Sequence, residues 1–336
     1  MRKLTLAVML VVLAMSLYLS SYSYAKYPER PITLFIGFPA GGATDVIARG
    51  IVPILQEKLG VGIGITNVPG AASAIAASQV LSRPRDGYTL MFGSEAMSTW
   101  QVMGTSKLSP YLDFIPIMIV AEAIPVLAVP PNSQFNSAEE FIKYAKENPG
   151  KLRLSTAGPA TVPHVCGLML EKALGCKFTF VPYQGGKPAV TACMGGHVDA
   201  TIEMVQQMVE AHRSKMIKIL ATFTNEPVPG LDNIPPIGKL FPELAKDLPY
   251  GPYFGLFAPK GVPLEVVEVL TKAMQEAAKD ERWLNYCKKF FLVPVQHSAL
   301  EAYEYVKNWT AKCAWLLYDA GVAKISPEDF AIKRPK

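Results

Sequence analysis

The chain has no Gly-x-Ser-x-Gly elbow, no P-loop and no dinucleotide fingerprint; Gly60-Val61-Gly62-Ile63-Gly64 has the glycines but not the register after a strand. That leaves no motif for acyl transfer, nucleotide binding or hydride transfer. Its four histidines, His164, His197, His212 and His297, lie far apart, and His164-Val165-Cys166 alone is no zinc pattern. No basic block or basic helix accompanies the formal charge of +5, so nothing calls for nucleic acid. After the N-terminal segment no apolar run reaches the roughly 18 residues that a membrane span requires.

Cysteine is sparse and odd in number. Cys166, Cys176, Cys193, Cys287 and Cys313 match no disulfide scaffold or metal spacing. Buried thiols are expected, with room for one bridge, and the sequence leaves open whether Cys287 and Cys313 meet. No cysteine falls in the first 30 residues, which argues against a lipidated mature terminus.

The N-terminus reads as an export signal. Met1-Arg2-Lys3 is basic, Leu4 to Leu19 is apolar, and Ser23-Tyr24-Ala25 places small residues where a signal peptidase inspects them. Cleavage after Ala25 would leave 336 − 25 = 311 residues and lower the formal charge from +5 to +3 by loss of Arg2 and Lys3. A periplasmic location is the expectation, in two domains or one large one.

Directly after the signal comes the most telling stretch, Tyr27 to Asp45. Ile32, Leu34, Phe35 and Ile36 form a short β-rich run, Gly41-Gly42 permits a sharp turn, and Thr44 or Asp45 is placed to cap a helix. Such a junction aims free N–H groups and a helix dipole at a carboxylate or phosphate, although a plain βα turn looks the same. Val46, Ile47, Ile51, Leu55 and Leu59 continue at helical spacing to Gly60, with a kink expected at Pro53. Strands at Ile63 to Thr66 and Tyr88 to Phe92 flank a small-residue helix at Ala71 to Leu81. This rhythm predicts a mostly parallel sheet covered by helices.

A second α/β set follows. It has strands at 126–129, 152–155, 178–181, 200–203 and 217–222, and a capping box Ser137-Ala138-Glu139-Glu140 opens a helix through Lys146. The loop Ala157 to His164 precedes a helix to about Leu174, and another helix lies around Pro188 to Met194. Residues 225–252 read as irregular. A strand at 254–259 and helices at 264–279, 281–290 and 298–321 close the chain, the last opened by Ser298-Ala299-Leu300-Glu301. The fold class is α/β, with two lobes and a ligand cleft between them. The expected division is a signal at 1–25, lobe 1 at 26–124, lobe 2 at 125–249, and a return to lobe 1 at 250–336.

These residues resemble the substrate-binding proteins of tripartite tricarboxylate transporters, also called Bug-type receptors. The matching segments include Tyr27-Pro28 with Pro31-Ile32, Phe38 to Asp45 with Ala48-Arg49, and Asn67-Val68-Pro69-Gly70-Ala71. Further along come Asp86 to Leu90 with Gly93-Ser94, Asp113-Phe114, Tyr144-Ala145-Lys146 with Asn148 to Leu152, and Val181-Pro182-Tyr183 with Gly185-Gly186. Gly195-Gly196 with Val198-Asp199, and Leu256 to Pro259, complete a series that runs in order through nearly the whole mature chain.

The resemblance implies a type II periplasmic binding-protein fold and a small organic carboxylate held by two loops from opposite lobes. Carried onto this sequence, the first loop is Phe38 to Asp45, with Phe38, Ala40, Gly41, Gly42, Thr44 and Asp45 as site candidates. The second is Ser155 to His164, with Ser155, Gly158, Ala160, Thr161 and His164. Ser94 and Tyr183 are further candidates. It also implies membrane permease subunits as partners, no cofactor, no metal and a monomeric receptor. The chain departs from the family at Ala160, Ala72, Ser73 and Ala76, where glycine is usual, and has Trp100-Gln101-Val102-Met103 in place of an Asn-Pro segment. Trp100 is therefore expected to reshape the pocket wall.

Beside the resemblance, Glu203 follows an apolar strand and can either face the cleft, reading an amine or hydroxyl, or sit exposed at a strand end. His164 can cap the second loop or touch the ligand. Arg49 is expected in an ion pair. Tyr183, Trp100, Tyr253 and Phe254 can stack on an aromatic acid or serve as core. The leading function is capture of a carboxylate for a transporter. A sensor subunit for a signalling partner is the alternative, and an exported enzyme comes third.

Overall fold

The computed structural model describes residues 27–248 and 250–335, so the signal expected at 1–25 lies outside the described residues. Two sheets form, and the chain passes between them twice. The first has the order β11-β4-β10-β3-β1-β2, from β1 (Ile32–Ile36), β2 (Ile63–Asn67), β3 (Thr89–Ser94), β4 (Phe114–Glu122), β10 (Tyr253–Pro259) and β11 (Val293–Ser298). The second has the order β7-β6-β8-β5-β9, from β5 (Pro125–Val129), β6 (Arg153–Thr156), β7 (Thr179–Pro182), β8 (Ala200–Met204) and β9 (Lys218–Thr222).

The helices are α1 (Ala43–Leu59), α2 (Ala74–Leu81), α3 (Ala138–Glu147), α4 (Val162–Leu174), α5 (Gly186–Met194), α6 (Val205–Arg213), α7 (Ile237–Leu240), α8 (Leu264–Lys279), α9 (Glu281–Phe290) and α10 (Ala299–Asp319). Among the described residues no helix is long and apolar enough to cross a membrane.

The expected parallel sheets are only partly so. β1 pairs in parallel with β2 and β3, as β6 does with β7 and β8. The strands that flank the two crossings, β4, β5, β9 and β10, pair antiparallel, as does β11. β10 returns beside β3 and β4 and joins the late chain to the first sheet.

Packing explains why the long elements form where they do. On α1 the residues Ile47, Ile51, Ile54 and Leu55 are at most 3% exposed, a continuous apolar stripe against the first sheet. Truncating one of them to alanine typically costs about 2–5 kcal/mol. Gly60 ends α1 in the left-handed conformation, and the helix runs unbroken through Pro53. Ser137 caps α3 by accepting the Glu140 N–H, while the Glu140 carboxylate accepts the Asn136 N–H at 2.7 Å.

Some local expectations fail for identifiable reasons. The N-cap of α1 is Gly42, not Thr44 or Asp45, because the Asp45 carboxylate turns back to the Gly41 N–H. Ser298 makes no capping bond, since its hydroxyl accepts from Gln275. Residues 71–73 form a 3-10 turn, with Ala71, Ala72 and Ser73 all in the left-handed region, at φ 48, 49 and 74°. The turn that glycine usually makes here is kept at the cost of Cβ crowding.

All five cysteines are buried free thiols.

Candidate functional site

Where β1 ends, the chain turns through residues 37–42 into α1, and hydrogen bonds fix that turn from behind. Asp45, 2% exposed, accepts from the Gly41 N–H at 2.8 Å, the Arg49 Nε at 2.9 Å and the Asn67 Nδ2 at 3.0 Å. Asn67 also donates to the Phe38 carbonyl at 2.9 Å. Burial pushes the Asp45 carboxyl up, but Arg49, the Gly41 N–H and Asn67 outweigh burial and hold it below its ordinary value. Gly41 sits at φ 79°, and a methyl placed there would meet the Lys187 ammonium of the second lobe at 2.9 Å.

The second loop follows β6. Thr161 donates its hydroxyl to the Gly158 carbonyl at 2.8 Å, and the Ala160 N–H donates to His164 Nδ1 at 3.0 Å. That bond requires an unprotonated Nδ1, in keeping with a His164 pKa lowered by burial. Ala160 itself stands at φ 58°, in the conformation its glycine counterpart would adopt.

The two loops meet in a cleft with two connected parts. The inner chamber, about 40 Å3, is lined by Phe38, Gly42–Thr44, Ser94, Glu95, Ala157, Thr161, Gly186, Glu203, Gln207 and Phe254, among others. The outer chamber, about 420 Å3, shares Phe38, Ala157 and Thr161 and adds Gly70–Ala72, Gly158, Tyr183 and Lys324. The first turns of α1, α4 and α5 all reach the inner chamber, from both sides of the cleft. Its rim is closely apposed: a methyl on Gly185 would come within 3.1 Å of Pro39 Cδ.

Of the sequence candidates, Phe38, Gly42, Thr44, Ser94, Thr161 and Glu203 line the inner chamber, and Gly158 and Tyr183 the outer. Ala40, Gly41, Asp45, Ser155, Ala160 and His164 line neither. Ser155 donates to the Ala189 carbonyl at 3.1 Å and is fully buried, a bond that docks α5 onto β6. Asp45 and His164 shape the loops, and the Ala160 N–H is already taken. Trp100 does not form pocket wall: it is fully buried in the core and donates Nε1 to the Ala72 carbonyl at 2.6 Å. Tyr253 is core as well, its hydroxyl 3.0 Å from Ser98 Oγ, whereas Phe254 reaches the inner chamber.

Sequence reasoning did not single out Glu95 or Gln207. Glu95 follows Ser94 at the carboxyl end of β3 and is 6% exposed; Glu203 is 1% exposed. Burial pushes the Glu95 carboxyl up to about 7, against the pull of the Ser94 hydroxyl and the N–H of Val162 from the opposite lobe. Burial likewise pushes Glu203 up to about 8, and the Glu95 charge adds to it, while Gln207 pulls it down. Gln207 donates Nε2 to Glu203 Oε2 at 3.2 Å. The i, i+4 spacing of Glu203 and Gln207 was the available signal.

The family model for tripartite tricarboxylate transporter family receptors matches residues 47–321. The chain belongs to that family. A relative from Pseudomonas sp. strain P51, known as the UPF0065 protein in the tcbD-tcbE intergenic region, is 33% identical over 257 residues, covering 75% of this chain and 74% of its own. Among solved structures, the periplasmic binding protein BugD superposes with a TM-score of 0.82 at 28% identity, over 88% of this chain and 99% of that one. The R. palustris protein Rpa4515, solved with adipate, also gives 0.82, at 26% identity over 89% and 99%. The two sheets with a cleft between them are thus the two-lobed fold of this receptor family, whose members include periplasmic binding proteins.

Proposed function

We propose that this receptor captures a small organic carboxylate in the periplasm and delivers it to the membrane permease of a tripartite tricarboxylate-type transporter. The observation that carries the reading is the convergence of three helix N-termini, from both lobes, on one cleft. The first turns of α1 and α5 supply N–H donors, and α1, α4 and α5 together supply positive dipole ends for an anion. The acid would sit where Phe38, Ala157 and Thr161 separate the two chambers, with its chain in the outer chamber toward Tyr183 and Lys324. A few charge-assisted hydrogen bonds at roughly 1.5–3 kcal/mol each approach the roughly −8 kcal/mol of micromolar binding. The adipate held by Rpa4515 supports the class of ligand.

Because the bonds come from both lobes, ligand favours the closed state, with the hinge at the two crossings between sheets. Thermal unfolding against a panel of carboxylic acids tests the reading. A binding acid at 100 times its Kd should add about 2.7 kcal/mol, on the order of 5 °C. A panel of mono-, di- and tricarboxylic acids, hydroxy acids and amino acids that leaves the transition unmoved would overturn it.

A further inference from the structure

The inner chamber holds two carboxylates and no cation. Glu95 and Glu203 both line it, both are more than nine-tenths buried, and neither is in an ion pair among the described residues. Buried carboxylates without a counter-charge are costly, and a protein that keeps two of them in one enclosed space needs a positive group there or must leave them protonated. Glu203 Oε1 has no hydrogen-bond partner, and neither has the neighbouring Gln207 Oε1. Two buried acceptor atoms, Glu203 Oε1 and Gln207 Oε1, therefore stand without a donor beside a second buried carboxylate, Glu95.

We infer that the inner chamber binds the ammonium group of the ligand, so that the captured carboxylate is an amino acid rather than a plain di- or tricarboxylic acid. This rests on the receptor reading above and names the ligand class of that same site. Size agrees. About 40 Å3 admits a small polar group on the scale of a water molecule, as an ammonium is. An ammonium carries three donors, enough for the two unpartnered oxygens and a further bond to Glu95. A metal ion fits less well, since among the described residues no group of three or more His, Cys, Asp or Glu side chains is placed to hold one.

Placement agrees too. The chamber adjoins Phe38, Ala157 and Thr161, where the ligand carboxylate is placed, so the two headgroups of an α-amino acid would lie side by side. An acid lacking the amine would set its negative charge against two carboxylates with nothing between them, which is repulsive discrimination as well as lost attraction. The backbone leaves room for this arrangement at Gly186, where a methyl would fall 2.6 Å from Glu203 Oε2 and 2.5 Å from Gln207 Oε1.

The test is titration calorimetry of the full receptor at about pH 8 with the proteinogenic amino acids, each paired with the acid that lacks only the amine. At least one amino acid should bind about 100-fold or more tighter than its amine-free partner. Glu203→Gln, which removes charge without changing shape, should fold normally and reduce that preference to about tenfold or less, and Glu95→Gln should act in the same direction. Amine-free acids binding as tightly as their partners, with Glu203→Gln indifferent, would overturn the inference and leave the carboxylate receptor standing. Silence from every amino acid while an amine-free acid binds would do the same, and silence from every acid would overturn both.

Discussion

Ligand-free receptor should unfold at a higher temperature at about pH 5 than at about pH 8, and replacing Glu95 and Glu203 together by glutamine should remove most of that difference. Both carboxyls are raised from an ordinary value of 4.5, to about 7 and about 8, by burial first and by mutual repulsion in the case of Glu203. A raised carboxyl binds its proton more tightly in the folded state than in the unfolded one. Stability therefore falls as pH rises, beginning at the unfolded value and levelling only above the folded one, a window from about 4.5 to about 8.

At about 1.4 kcal/mol per unit, either shift is worth a few kcal/mol, and because the two share one repulsion they do not sum in full. The expected change is several degrees in the unfolding midpoint. His164 works the other way in the same window: its lowered pKa makes the folded state favour the neutral ring, so its contribution grows with pH. The carboxyls of Asp45 and Asp199 are lowered, and their contribution is lost only as pH falls below the ordinary carboxylate range, outside the window. Subtracting the profile of the double glutamine variant isolates the pair. A wild-type midpoint that rises or stays level from pH 5 to pH 8 would show that the two groups are not held as described. A bound ammonium should flatten the wild-type profile as well, since it lowers both pKa values and removes the reason for the slope.

The two-lobed α/β fold and the βα junction after β1 were legible in the sequence because local chemistry decides them, whereas the second candidate loop came from the family resemblance. An apolar run, glycines and a helix-spaced stripe specify the junction at 32–59 with little help from elsewhere. β4 was not legible, although it lies between β10 and β11 in the first sheet. Its run Phe114 to Glu122 contains Pro116, which argues against a strand; Pro116 pairs with Phe257 beside a register shift that absorbs its missing N–H. β11 hid behind Pro294 in the same way, next to an irregularity before His297. α6 is short and leaves β8 with no loop and no capping side chain, so no start signal precedes it.

At the candidate site, Phe38 and Thr161 came from the family resemblance, and Thr44 from its junction, read there as a helix cap that Gly42 provides instead. Glu95 came from neither. What makes it notable is that the N-terminus of α4 and the side chain of Glu203, both far along the chain, close over it, and no window of local sequence carries that information. Trp100 misled for the complementary reason: standing where the family has an Asn-Pro segment, it was read as pocket wall, but its ring is buried in the core and its indole N–H bonds the Ala72 carbonyl.

The second large effect lies at the crossing between the sheets. Gly251→Ala should lower stability by about 2–4 kcal/mol, on the order of 3–7 °C, and weaken ligand binding with it. A methyl at Gly251 would stand 2.3 Å from the Ala123 carbonyl oxygen, a backbone atom that cannot swing aside as a side chain would. The same two crossing segments are joined by the Ala123 N–H to the Pro252 carbonyl at 3.0 Å, and the Trp309 indole donates to the Gly251 carbonyl at 3.3 Å. Relief of the clash therefore requires one crossing to move away from the other or the Gly251 segment to pull off α10. Pro252 lines the inner chamber, so displacement of this segment reaches the ligand directly. The control is Gly62→Ala, where no atom lies within 4 Å of the added methyl; it should leave stability within about 0.5 kcal/mol of the parent. Equal midpoints for the two variants would mean that the crossings do not bear on each other as tightly as the Ala123 contact requires.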